Sequence, residues 1–194
     1  MNLARLPLIP TVLVAAAAAT MVGLGFWQLD RREEKSALLA RYAAAASDDS
    51  VVRWDAVQEN VPDFLYRRAR LDCERVDMTS AIAGQNEAGQ SGLAITAQCA
   101  TPAGGTGMVV LGWSQAPVTP DWQGGRVEGV IAPGPRLVAD PPVAGLAANA
   151  IPDPSEIPDN HLAYAVQWFF FAATALVIYG LAVRKRLAGE GGGR

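Results

Sequence analysis

The sequence predicts a membrane protein of α+β class, in which two transmembrane helices flank an antiparallel β domain, barrel-like or sandwiched, outside the bilayer. Three observations carry this. Two charge-free apolar runs, Leu6–Leu29 and Leu162–Val183, are 24 and 22 residues long, and about 20 apolar residues span a bilayer as a helix. Only 18% of the 194 residues are charged, against about a quarter in soluble domains. Between the runs, residues 30–161 carry short β-type segments broken by Gly and Pro, the texture of antiparallel strands joined by turns.

The first span is expected over residues 6–29. A cleaved signal peptide competes with it, because Ala15 to Ala19 offer a small-residue cleavage site. Apolar character nevertheless continues through Phe26 and Trp27, well past an ordinary signal-peptide core. Residues 30–46 hold strong helix formers with no Gly or Pro and extend the helix out of the membrane. Ser47-Asp48-Asp49-Ser50 ends it with turn chemistry. A short helix is expected from Trp54 to Asn60, stopped before Pro62. The sheet is expected within residues 64–139, with strands at Phe64–Arg75, Gly92–Thr101, Gly107–Gln115, Arg126–Ile131 and Arg136–Ala139. Residues 140–160 contain five prolines and cannot hold a long helix; they form a strap leading to the second span, residues 162–183. Residues 184–194 are a basic, Gly-rich tail.

Two spans put both termini on one side. Arg184, Lys185 and Arg186 abut the second span and mark that side as cytoplasmic, in the inner membrane of a bacterium, with the mitochondrial inner membrane and its matrix as the alternative. Arg31, Arg32 and Lys35 oppose this assignment, and the compact C-terminal cluster outweighs them. Trp27, Tyr164, Trp168 and Tyr179 lie near span ends, where amphipathic rings prefer the headgroup layer. The domain of residues 30–161 holds 11 Lys+Arg against 18 Asp+Glu. An acidic domain without a basic stripe argues against nucleic acid as partner and leaves the lipid bilayer as the evident one.

Few residues offer chemistry. His161 is the single histidine, placed where the strap meets the second span. Helical spacing sets Tyr164, Ala165 and Trp168 on its face. An imidazole there can ligate a haem iron, with Ala165 leaving room for a flat ring; equally, one histidine shows no ligand spacing and reads as an interfacial residue bonded to headgroups or water. Gln28 and Gln167 read as hydrogen-bonding glue between the helices, and Gly23 and Gly25 as points of close approach. Cys73 and Cys99 fall in two expected strands. Outside the cytoplasm they can form a disulfide across neighbouring antiparallel strands; a copper-handling thiol pair and two unrelated buried cysteines are the alternatives. No Gly-x-Ser-x-Gly elbow, P-loop or dinucleotide fingerprint is present, so the sequence offers no enzyme reading.

The two ends together are more specific. Arg5-x-Pro7-x-x-Pro10-Thr11 is followed by Gly23-x-Gly25-x-Trp27-Gln28-Leu29-x-Arg31 and Lys35, and the C-terminal part carries Asn160-His161-x-x-Tyr164-Ala165-x-Gln167-Trp168-Phe169. This resembles the Surfeit locus protein 1 family of cytochrome c oxidase assembly factors. The middle matches more loosely: Gly92–Ala97, Gly107–Trp113 and Arg126–Ile131 resemble the family's strands, with Leu111 where an Arg stands before Gly-Trp. The resemblance implies two spans around a periplasmic or intermembrane-space domain. It further implies a non-enzymatic role in the respiratory chain, handling or inserting haem a into subunit one of the oxidase together with a haem a synthase. His161 is then the haem iron ligand, flanked by Tyr164 and Trp168. The competing expectation is a scaffold that stabilises an oxidase intermediate or the synthase and binds no haem.

Overall fold

The computed structural model describes residues 7–58 and 60–191. Arg5 and Leu6 of the N-terminal motif and first run, Glu59 of the expected short helix, and residues 192–194 of the tail lie outside the described residues. The chain divides into two units, one of residues 1–38 with 158–194 and one of residues 39–157.

The first unit is a pair of helices. Helix α1 runs Leu8–Ala46, its last turns belonging to the second unit, and helix α4 runs His161–Gly191. Both are long and apolar enough to cross a membrane, which places the chain at one. Neither is amphipathic in the manner of a surface helix, because lipid accepts apolar side chains on every side. What distinguishes one face is size. Thr11, Val14, Ala18, Met21, Gly25 and Gln28 on α1 recur at alternating steps of three and four and are all buried or half-buried. His161, Ala165, Trp168, Ala172, Ala175 and Tyr179 do the same on α4. That heptad spacing is a coiled-coil seam. The helices pair antiparallel: Thr11 bonds Tyr179 at one end, Gln28 bonds His161 at the other, and this register sets Ala18 opposite Ala172 and Gly25 opposite Ala165. In lipid such pairs are held by close packing of small residues, since apolar burial drives nothing there. Gly25 shows how close: a Cβ on it would come within 2.5 Å of the Phe169 ring, whose face meets Phe26 edge-on at 5.4 Å.

The second unit is a seven-stranded sheet: β1 (Val52–Arg53), β2 (Arg68–Cys73), β3 (Arg75–Gln85), β4 (Ser91–Ala100), β5 (Thr106–Ser114), β6 (Gly125–Ala132) and β7 (Arg136–Ala139). Their spatial order is β1-β2-β6-β7-β5-β4-β3. Four pairings are antiparallel, and β1·β2 and β5·β7 are parallel. The sheet is therefore mixed and open, with β1 and β3 as edges, and it does not close into a barrel. Two short helices, α2 (Trp54–Val57) and α3 (Val61–Phe64), cover one face. The main core lies there: Leu71, Ile95, Val109, Leu111, Val127, Ile131 and Leu137 pack with Trp54 and Val57. The Trp54 indole N–H donates to the Thr106 carbonyl at 3.2 Å. A smaller cluster of Ala94, Val110, Ala132 and Val138 fills the other face, with Ile151 of the strap against it. Burial on both faces explains why β5 is apolar almost without alternation. Gly129 on β6 is required sterically, because a Cβ there would overlap the Val138 backbone carbonyl.

The expected strands near Gly92, Gly107, Arg126 and Arg136 start within two residues of those positions. The one expected at Phe64 starts later, at Arg68, because Val61–Phe64 is helical and Tyr66 takes a positive φ of 67°. The helix expected over Trp54–Asn60 stops at Val57, and a second one carries Pro62 in its first turn, where a missing N–H is harmless. The 11-residue strand β3 had no counterpart among the expected strands beyond Arg75. The strap forms no long helix: it has one 3-10 turn, Pro154–Glu156, and bridges to the sheet at Asn86–Asn149 and Trp113–Ala147. The Ser155 backbone N–H donates to Asp153 at 2.7 Å, and with the Ser155 hydroxyl it holds that carboxyl below the ordinary carboxylate range.

Candidate functional site

The candidate site is built at one end of the helix seam. Pro158 stops any helix upstream, and the Asp159 carboxylate accepts the His161 backbone N–H at 3.3 Å, so α4 starts with histidine as its first residue. The Pro158 carbonyl is held by the Lys35 ammonium from α1. The imidazole is half-buried, and its Nδ1 lies 2.8 Å from Gln28 Oε1. Nε2 has no hydrogen-bond partner among the described residues.

The seam has a polar clasp at each end and small residues between. Thr11 and Gln28 are 17 residues apart on α1, about 25 Å by the helical rise. That is close to the roughly 30 Å hydrocarbon thickness of a bilayer. In the chain, His161 is followed by the apolar run and preceded by the polar strap.

The other predicted residues divide. Trp168 stands two turns from His161 on the seam, half-buried, and packs edge-on against Phe171 at 6.2 Å. Tyr164, one turn from His161, is 51% exposed and lies off the seam. Ala165 is fully buried, so the open space read at this position is absent, while Leu162 and Tyr164 beside His161 are exposed. Of the two glutamines read as interhelical glue, Gln28 acts so, whereas Gln167 is exposed and makes no side-chain hydrogen bond among the described residues. Of the two glycines, Gly25 is at the contact, and Gly23 has open space beside it.

Cys73 and Cys99 are joined by a disulfide, so neither is a free thiol. Strands β2 and β4 are not neighbours in the sheet, which departs from the reason given for their approach. The sulfurs meet because the chain passes from β2 to β3 through the single residue Glu74, and the Glu74 N–H donates to the Ala100 carbonyl at 2.9 Å. This curls the free end of β2 onto the end of β4. No group of three or more His, Cys, Asp or Glu side chains suited to a metal ion occurs among the described residues.

The second unit also carries a feature without a sequence signal. An open groove of about 730 Å³ lies between the last turns of α1 and the strap, lined by Leu39, Ala43, Ala46, Ile151 and Pro154, with Asp153 its one titratable group. Its two walls are more than a hundred residues apart in the chain, and neither is unusual in composition.

Comparison with the curated proteins finds no match. The model of the SURF1 family matches residues 15–173, a stretch that contains the seam from Ala18 through Ala172 and the whole sheet. A match over most of the chain shows that this protein belongs to the SURF1 family, whose members are cytochrome c oxidase assembly factors and not an enzyme family.

Proposed function

We propose that the chain handles haem a during oxidase assembly, with His161 as the iron ligand. The observation that carries this is the half-buried imidazole at the head of α4, one nitrogen bonded to Gln28 and the other without a partner among the described residues. A bound haem a supplies a porphyrin iron that accepts an imidazole nitrogen, together with polar propionates and a long apolar tail suited to a membrane edge. The donor set fits such cargo. Gln28 on the seam bonds the histidine, Tyr164 gives an exposed aromatic flank one turn away, and Ala165 closes the seam side. Trp168 braces the seam beneath it. One protein ligand leaves the opposite face of the haem open, which suits transfer to subunit one after receipt from a haem a synthase. The acidic domain lies in the periplasm of a bacterium, with both termini cytoplasmic beside Arg184, Lys185 and Arg186. A reporter active only in the periplasm, fused after Arg194, is expected to be silent; strong signal there overturns the orientation.

A scaffold reading draws on one specific observation. Strand β3 is an edge of 11 residues, with Met78 61% exposed; open edges of this kind accept partner strands. Purification from cells that make haem a separates the two readings. His161→Ala is expected to insert and accumulate as the parent does, while its bound haem a, read by absorbance and extraction, falls to background and oxidase haem content drops. A variant that binds haem and supports oxidase like the parent leaves the scaffold reading standing.

A further inference from the structure

We propose that Gln28 is a positioning residue that selects which nitrogen of His161 ligates. The inference rests on the haem reading of His161. A neutral imidazole carries one proton, and the nitrogen that bears it cannot bind a metal. The side-chain oxygen of Gln28 faces Nδ1 at 2.8 Å, and an amide oxygen can only accept. The proton therefore sits on Nδ1, and the lone pair is left on Nε2, the nitrogen without a partner among the described residues. An isolated histidine side chain favours the opposite form, with the proton on Nε2, so the protein has to supply this preference.

The placement of Gln28 makes the contact a fixed one. It occupies the seam position three residues after Gly25, opposite the first residue of α4, at the last contact before α4 gives way to the strap. Neither helix can rotate without breaking the heptad packing of Ala18, Gly25, Ala165 and Ala172 behind it. An acceptor behind a ligating imidazole orients the ring and raises its basicity; loss of such a partner weakens metal binding about 10- to 100-fold. A neutral amide does this without adding charge at the membrane edge, where a carboxylate would add a desolvation cost.

His161 is the only histidine of the chain, so histidine-selective 15N labelling of untagged full-length protein reports this one ring. In the haem-free parent, Nδ1 is expected to show the shift of a protonated nitrogen and Nε2 that of a bare one. Gln28→Leu, which keeps an apolar seam, is expected to move the proton to Nε2 and to weaken haem a binding by about tenfold. Gln28→Glu retains an acceptor and is expected to keep the proton on Nδ1. Gln28→Asn keeps the amide but not the reach and should behave like the Leu variant. A parent ring already protonated on Nε2, or a ring unchanged in Gln28→Leu, overturns the proposal whatever haem does. Haem binding undiminished in His161→Ala instead overturns the haem reading, and the nitrogen shifts tell the two failures apart.

Discussion

Leu111→Arg is expected to leave the sheet domain unfolded. Leu111 sits fully buried on β5, with Leu71, Val109, Val127, Ile131 and Leu137 in the same hydrophobic cluster. A guanidinium placed there loses its water. An unpaired charge in such a position costs about 4 kcal/mol or more, a large share of a domain's total stability. The variant should lose its strand signal in circular dichroism and become protease-sensitive between the helices. Leu111→Met conserves volume and should lose less than about 1.5 kcal/mol. A folded Leu111→Arg protein would show that the cluster opens to solvent beside β5. The substitution is informative because the resemblance read from the sequence expects an arginine before Gly112-Trp113, whereas the structure puts Leu111 in the core.

Removing the disulfide is the second large effect. The Cys73–Cys99 bond closes a loop of sequence separation 26 and ties the end of β2 to a strand four places away in the sheet. Replacing both cysteines by alanine is expected to cost about 3 kcal/mol, mostly by releasing the unfolded chain. Because the bond also holds the curl at Glu74, the loss should appear as earlier denaturant unfolding of the domain while the helix pair stays intact. A double variant that unfolds with the parent would mean that the curl is held by β3·β4 pairing alone.

The helix pair was legible in the sequence because lipid imposes a coarse demand, some twenty apolar residues, that any reader can count. The histidine was legible for the same reason: it is the residue that ends the strap and opens the span. What could not be read was rotation. Gln28 and Gln167 look alike as polar residues within apolar runs, and only the heptad phase shared with Gly25 and Ala165 puts one on the seam and the other off it. Tyr164 and Ala165 are adjacent in the same way, one exposed and one buried. In the sheet, β4, β5, β6 and β7 were marked by apolar runs between turn residues. Strand β3 was not, since an edge strand exposed on both faces has no alternation to detect. The disulfide was expected, beside two alternatives, from compartment and from placement in two strands. Its geometric cause was not, because the curl at Glu74 depends on strand order, which pairing residues do not announce.

That strand order has a consequence for synthesis. β7 is only four residues long, yet it is the joint between β1-β2-β6 on one side and β5-β4-β3 on the other. It is also the last strand to leave the ribosome, and just 21 residues separate it from α4. Until it arrives, the emerging chain holds two half-sheets with no ladder between them and an incomplete core. The domain thus cannot finish folding strand by strand as it is made. It closes in one late event, nearly coincident with delivery of the second helix to the membrane, and a message cut short before Arg136 removes the keystone while leaving most of the stones.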